Sequence, residues 1–248
     1  LEMFRRNEFY ILLLLTFLYV LGMIVAALVG VENQATLLFL LNLGLSFALF
    51  AGHLLTLLSA ARQLPMELEN RTLFPLLAKP LQRWQYILGK WIACTASGYA
   101  GFLVLLVLSG FPWLFVPEKP ALSGLLLVQG IVLSLFSMSL MSAAALLLSL
   151  IVPKGVNVLL LGLLYMFGHQ LYNFIEARAF RASPALGNVA EWVLSYLPDF
   201  SQLSLFTRFT DGVGPVAGPE FLGLAIYGAL FTAAALAGAA LIFNRKSL

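Results

Sequence analysis

Six long apolar runs constrain this chain more than any other feature. Residues 9–31, 37–58, 91–116, 121–152, 156–174 and 221–243 contain no Asp, Glu, Lys or Arg. A hydrocarbon core roughly 30 Å thick takes about 20 such residues in a helix, whereas barrel strands alternate apolar and polar over about 10. The runs are continuous, so the expected fold is all-α: a polytopic membrane protein of six transmembrane helices in a single domain spanning 1–248. An overall composition of 61% apolar and 10% charged residues excludes an ordinary soluble domain. The run 121–152 exceeds one crossing and implies tilt or an interfacial first turn. The first run is too long for a cleaved leader, has no small-residue cleavage site after it, and reads as a true span.

Lys and Arg collect in cytoplasmic loops. With six spans both termini share one side. Placing that side in the cytoplasm puts Arg5, Arg6, Arg62, Arg71, Lys79, Arg83, Lys90, Lys154, Arg245 and Lys246 inside, ten of the 14 basic residues. Lys119, Arg178, Arg181 and Arg208 fall outside. The expected setting is a plasma membrane, the inner membrane of a bacterium, crossed several times with cytoplasmic N- and C-termini. A net charge of +3, largely accounted for by this asymmetry, gives no reason to propose nucleic acid as a partner. Trp91 and Trp113 bracket the third run about 33 Å apart, the spacing of two interfacial aromatic belts. Cys94 is the sole cysteine, so no internal disulfide forms, and it reads as a small packing residue.

Between the second and third runs lies the one long polar, proline-punctuated stretch, 65–90, PMELENRTLFPLLAKPLQRWQYILGK. Pro65 suits the first turn of a helix, and Glu67 and Glu69 complement the positive end of its dipole. Arg71 follows Glu67 by four residues and pairs with it on one face. Pro75 and Pro80 end helical runs. The expectation is a helix of about ten residues over 65–74, roughly 15 Å long, fit for a groove on a soluble protein. A loop lying on lipid headgroups, anchored by Arg83, Trp84 and Lys90, satisfies the same residues.

The order Glu67, Glu69, Thr72, Leu76-Leu77, Pro80, Arg83 and Gly89-Lys90 resembles the cytoplasmic signature of the type-2 ABC exporter permeases, the ABC-2 membrane family. The similarity extends to the six spans, the long outer segment 175–220, its Leu197-Pro198-Asp199 element and the closing Phe243-Asn244-Arg245-Lys246, so it covers essentially the whole chain. Two departures are Arg71, where many members have Gly before the Thr, and the short Leu1 to Glu8 stretch where members carry a longer amphipathic helix.

The resemblance implies a permease subunit of an ATP-driven exporter, paired with a second permease copy (homodimer or heterodimer) and served by two copies of an ABC ATPase subunit. It implies a cytoplasmic coupling segment, 62–90, in which Glu67, Glu69, Arg71, Thr72, Phe74, Pro80, Arg83 and Lys90 transmit the stroke of the ATPase. No G-x-x-x-x-G-K-[ST] loop occurs, so this chain is not itself expected to be an enzyme. It carries no cofactor, and ATP and Mg belong to the partner.

Asn42, Ser46, His53 and Thr56 share one face of the second run, and Gly162, Met166, His169 and Asn173 one face of the fifth. Polar side chains inside a membrane face a bundle interior or a wet cavity, or glue helices together. Both stripes are candidate translocation-path residues, since the resemblance implies that these two spans line the central cavity of the dimer. His53 and His169 have no second ligand nearby in sequence, so no metal site is expected. Gly98 with Gly101, and Ala234 with Gly238, read as close-packing sites. In the outer segment, Leu186, Val189, Val193 and Tyr196, with Trp192 adjacent, predict a helix at the outer surface, and the resemblance implies re-entrant helices that cap the cavity.

An intramembrane hydrolase lacks its paired acids or G-x-S-x-G elbow. A gradient-driven carrier lacks repeats and buried charges, and a non-transporting structural membrane subunit is the other alternative. The uncharged, aromatic-rich walls favour an amphipathic or lipid-like substrate.

Overall fold

The computed structural model describes residues 10, 14, 17–22, 24–25, 34–69, 82–110, 124–183, 187–189, 192, 198–205, 208 and 213–245. Among these the structure is all-helical, with no strand. Five long helices follow one another: α1 (Gln34–Glu69), α2 (Arg83–Gly110), α3 (Gly124–Ser149), α4 (Lys154–Ala182) and α5 (Gly218–Arg245), with a 3-10 helix, Phe200–Leu203, before α5. Each of the five contains a stretch long and apolar enough to cross a membrane. The chain is therefore a multi-pass helical membrane protein. The first expected span, 9–31, lies largely outside the described residues; Tyr10, Leu14, 17–22 and 24–25 are helical, and Tyr19 packs its ring against Gly44 of α1.

The helices bury themselves unequally. In the apolar windows of α1 and α3 67% of residues are buried, against 11% in α4. The most extensive packing joins α1 to α2, α3 to α5, and α1 to α3, so α1 and α3 form the core. Close approach of α1 and α2 depends on Gly98, where a Cβ would stand 1.9 Å from Thr56 Oγ1. Across the next interface, Gly52 of α1 faces Met138 of α3. Three buried serines of α3 find acceptors within their own helix, and Ser142 also meets Thr95 Oγ1 of α2 at 2.7 Å. Ser134 donates to the Gly130 carbonyl at 2.6 Å, Ser142 to Ser139 at 2.9 Å and Ser149 to Leu146 at 2.7 Å, which satisfies the hydroxyls inside their own helix.

Several sequence-based boundaries need correction. Pro65 does not open a new helix; it lies inside α1, which runs unbroken to Glu69. A proline in a helix interior costs about 3 kcal/mol. Full burial of Ala60, Ala61 and Leu64 beside it offsets that cost and carries the helix through. The third span begins at Arg83 rather than Trp91. At its start the Gln82 N–H donates to the Gln85 side-chain oxygen at 3.2 Å, which is one half of a capping box. The half-buried Trp91 also ties α2 to α3, its indole donating to the Ser139 carbonyl at 3.1 Å. The helix of the fifth span continues to Ala182, so Ile175 and Arg178 lie in α4. The expected outer helix falls mostly outside the described residues, as do Arg71, Thr72, Phe74, Pro75 and Pro80.

Candidate functional site

Two groups of residues singled out by the sequence come together in space. At one end of the bundle, Glu67 on the last turn of α1 meets the first turns of α2. The Tyr86 hydroxyl donates to one Glu67 carboxylate oxygen, and the Lys90 ammonium pairs with the other. Both charged side chains are about three-quarters buried, at 24% and 23% exposure. The Lys90 ammonium also lies 5.6 Å from the centroid of the Tyr86 ring. One turn earlier, Arg83 Nη1 donates to the carbonyls of Phe243 and Asn244 at 3.1 and 3.3 Å. Those are carbonyls of the last turn of α5, where a cation both fills unpaired acceptors and complements the helix dipole. Tyr86 and Phe243 stack at 5.6 Å and 19°. Three helix ends are thus interlocked by Glu67, Arg83, Tyr86 and Lys90. Glu67 is engaged by α2, whereas the sequence spacing pointed to Arg71, which lies outside the described residues. Glu69 occupies the final position of α1.

Deeper in the bundle a cavity of about 270 Å³ lies between α1, α3 and α4, bounded by Phe50, His53, Met141, Gly162, Tyr165 and Met166 among others. Here the stripes of the second and fifth runs converge, His53 from one and Gly162 and Met166 from the other. His53 is fixed from three sides. Its Nδ1 lies 2.9 Å from the Leu49 carbonyl and its Nε2 2.7 Å from Ser137 Oγ. A carbonyl only accepts, so Nδ1 carries the proton, and Nε2 of the neutral ring accepts from the serine hydroxyl. Tyr165 stacks on the imidazole at 4.3 Å and 23°, and its own ring meets Phe200 edge-on at 6.0 Å. A Cβ added at Gly162 meets no atom within 4 Å, so the cavity wall there is open.

The remaining stripe residues go elsewhere. Thr56 donates to the Gly52 carbonyl at 2.8 Å in the α1–α2 contact. Ser46 is exposed and Asn42 half-buried. His169 is exposed and lies 3.7 Å from the Asp199 carboxylate, while Asn173 is exposed. None of the five lines the cavity beside His53.

Four positions with structural consequences escaped the sequence reading. Ser137 and Tyr165 hold His53. Gln129 makes a two-point contact with the backbone of Val216, donating to its carbonyl at 2.9 Å and accepting its N–H at 3.0 Å. Asn157, fully buried, donates to the Ala145 carbonyl at 2.8 Å and ties α4 to α3. Ser137, Gln129 and Asn157 carried a signal, as polar side chains in an apolar run. No group of three or more His, Cys, Asp or Glu able to hold a metal occurs among the described residues.

Compared with the models of known protein families and with curated proteins, the chain matches none.

Proposed function

We propose that this chain is the membrane-spanning permease subunit of an ATP-driven ABC exporter of the type-2 family, working with a second permease copy and two copies of a separate ATPase subunit. The observation that carries the reading is the junction of Glu67, Tyr86, Lys90 and Arg83 with the end of α5. Residues 70–81 leave α1 and enter α2 on either side of this junction. A force applied to that segment is delivered to α1 and α2 together, and through Arg83 to α5, instead of being absorbed in a slack loop. Glu67 is 14 residues from His53, about 21 Å along α1, so the same helix runs from the junction to the cavity wall. Displacement of α1 by ATP-driven closure of the partner is a switch between inward-facing and outward-facing states, biased by a ligand bound elsewhere. ATP and Mg act on the partner. The uncharged walls of the cavity suit an amphipathic or lipid-like substrate.

A competing reading, a structural membrane subunit that transports nothing, draws on the same cavity, because both ring nitrogens of His53 are engaged within the protein. One experiment separates the two. The chain is purified in mild detergent from its native membrane, its companions are identified, and ATP hydrolysis is measured with and without candidate amphiphiles. A stoichiometric ATPase stimulated by an amphiphile is expected. An ATPase indifferent to every amphiphile supports the structural reading, and recovery of the chain without any ATPase overturns the exporter proposal.

A further inference from the structure

On the other side of α4 lies a larger cavity, about 580 Å³, between α3, α4 and α5. Leu147, Leu161, Leu164, Leu230 and Phe231 face it, with Pro198 at one end, and every residue around it is Leu, Ala, Phe or Pro. A polar cluster begins where Pro198 leaves off. Asp199 Oδ1 accepts from the Ser201 N–H at 2.9 Å and from its hydroxyl at 2.7 Å. The Asp199 N–H donates to the Tyr227 hydroxyl oxygen at 2.9 Å. Oδ2 faces His169 Nδ1 at 3.7 Å, too far for a hydrogen bond. Tyr172 has a buried hydroxyl without a hydrogen-bond partner among the described residues, and it stands one turn along α4 from His169, the residue that faces Asp199. Tyr227 packs on Phe231 of the cavity wall, with centroids 4.7 Å apart, so cluster and cavity are continuous.

Depth fixes what such a site can hold. Tyr227 precedes Phe243 by 16 residues, about 24 Å along α5, which puts the cluster near the boundary of a hydrocarbon core roughly 30 Å thick, at the side away from Lys90 and Arg83. The cavity extends from there into the apolar interior. A carboxylate oxygen, an unfilled phenol and two tyrosine rings make up the recognition chemistry of an ammonium group. We propose that α3, α4 and α5 bind one bilayer lipid with an ammonium headgroup of the phosphatidylethanolamine kind, its ammonium at Asp199 and Tyr172 and one hydrocarbon chain in the cavity. This site is separate from the His53 cavity and does not depend on coupling to an ATPase.

The test uses the full chain, delipidated in neutral detergent and offered equimolar dioleoyl phosphatidylethanolamine and dioleoyl phosphatidylglycerol. Native mass spectrometry reads the lipid that stays bound. Retention of the ethanolamine lipid by about tenfold is expected, the discrimination of one charge-assisted hydrogen bond. Asp199→Asn, whose amide oxygen still accepts from Ser201, abolishes the preference while leaving the thermal midpoint in place. Ala234→Phe fills the cavity and removes both lipids; should that variant run as an aggregate on gel filtration, Ala144→Leu is required to do the same. Equal retention of the two lipids by the wild-type chain marks nonspecific annular lipid and overturns the proposal, as does unchanged retention in a folded cavity-filled variant.

Discussion

If the junction at Glu67 is one cooperative unit, its parts will not act independently when removed. Lys90→Met keeps the length and packing of the side chain but removes its charge. The variant forfeits a charge-assisted hydrogen bond, about 1.5–3 kcal/mol in buried settings, and an exposed-type cation–π contact of about 0.5–1 kcal/mol. With roughly a quarter of each partner still accessible to water, screening brings the total to about 2 kcal/mol. Glu67→Gln costs less, about 1 kcal/mol, because the amide oxygen still accepts from Tyr86 or Lys90. In the double variant the lost pair is counted once, so the total stays near 2 kcal/mol and the coupling is about 1 kcal/mol. Unfolding in mixed micelles of rising dodecyl sulfate fraction, followed by fluorescence of Trp84 and Trp91 on the same helix, measures all four corners of the cycle. Additivity within about 0.3 kcal/mol would mean that the two side chains are merely adjacent, and the argument for a rigid junction would fall with it.

Two further outcomes follow from the packing. Gly98→Val forces α1 and α2 apart at Thr56 and destabilises by about 1–3 kcal/mol on the same unfolding scale; Thr56→Ala in that background recovers part of the loss, and no recovery would place the strain elsewhere. His53→Leu leaves the Ser137 hydroxyl without its partner, at a cost of about 1–3 kcal/mol. In the assembled complex it shifts amphiphile-stimulated ATP hydrolysis and leaves association intact. A variant that instead fails to assemble would make His53 a packing residue alone.

The helices themselves were legible because burial in lipid needs continuous apolar runs, and five of the six emerge as candidate spans among the described residues. Their ends were not. Hydropathy stops at the first charge, so it stopped at Trp91, while the helix continues back to Arg83 because Lys90 and Arg83 find an acidic partner and open carbonyls on neighbouring helices. Pro65 reads locally as a helix start, and only the tertiary burial of Leu64 overrides that preference. The stripe rule joined His53 to Thr56 correctly as one face of α1, yet the face divides between two neighbours. His53 turns to Ser137 and Tyr165, Thr56 to Gly98. Which helix stands opposite which is a long-range choice that local periodicity does not encode. For the same reason Gln129 and Val216, 87 residues apart, gave no hint of their contact.

The Arg83 contact with the end of α5 also has a bearing on biogenesis. Chains are made from the N-terminus, and α5 is the last of the five helices to leave the ribosome. Until it arrives, Arg83 lacks the two carbonyls of Phe243 and Asn244, and Tyr86 lacks the ring on which it stacks. A truncated or stalled product would therefore display a basic and aromatic patch at the membrane surface that the completed bundle conceals, a chemical mark of unfinished synthesis that a membrane protease or chaperone could read.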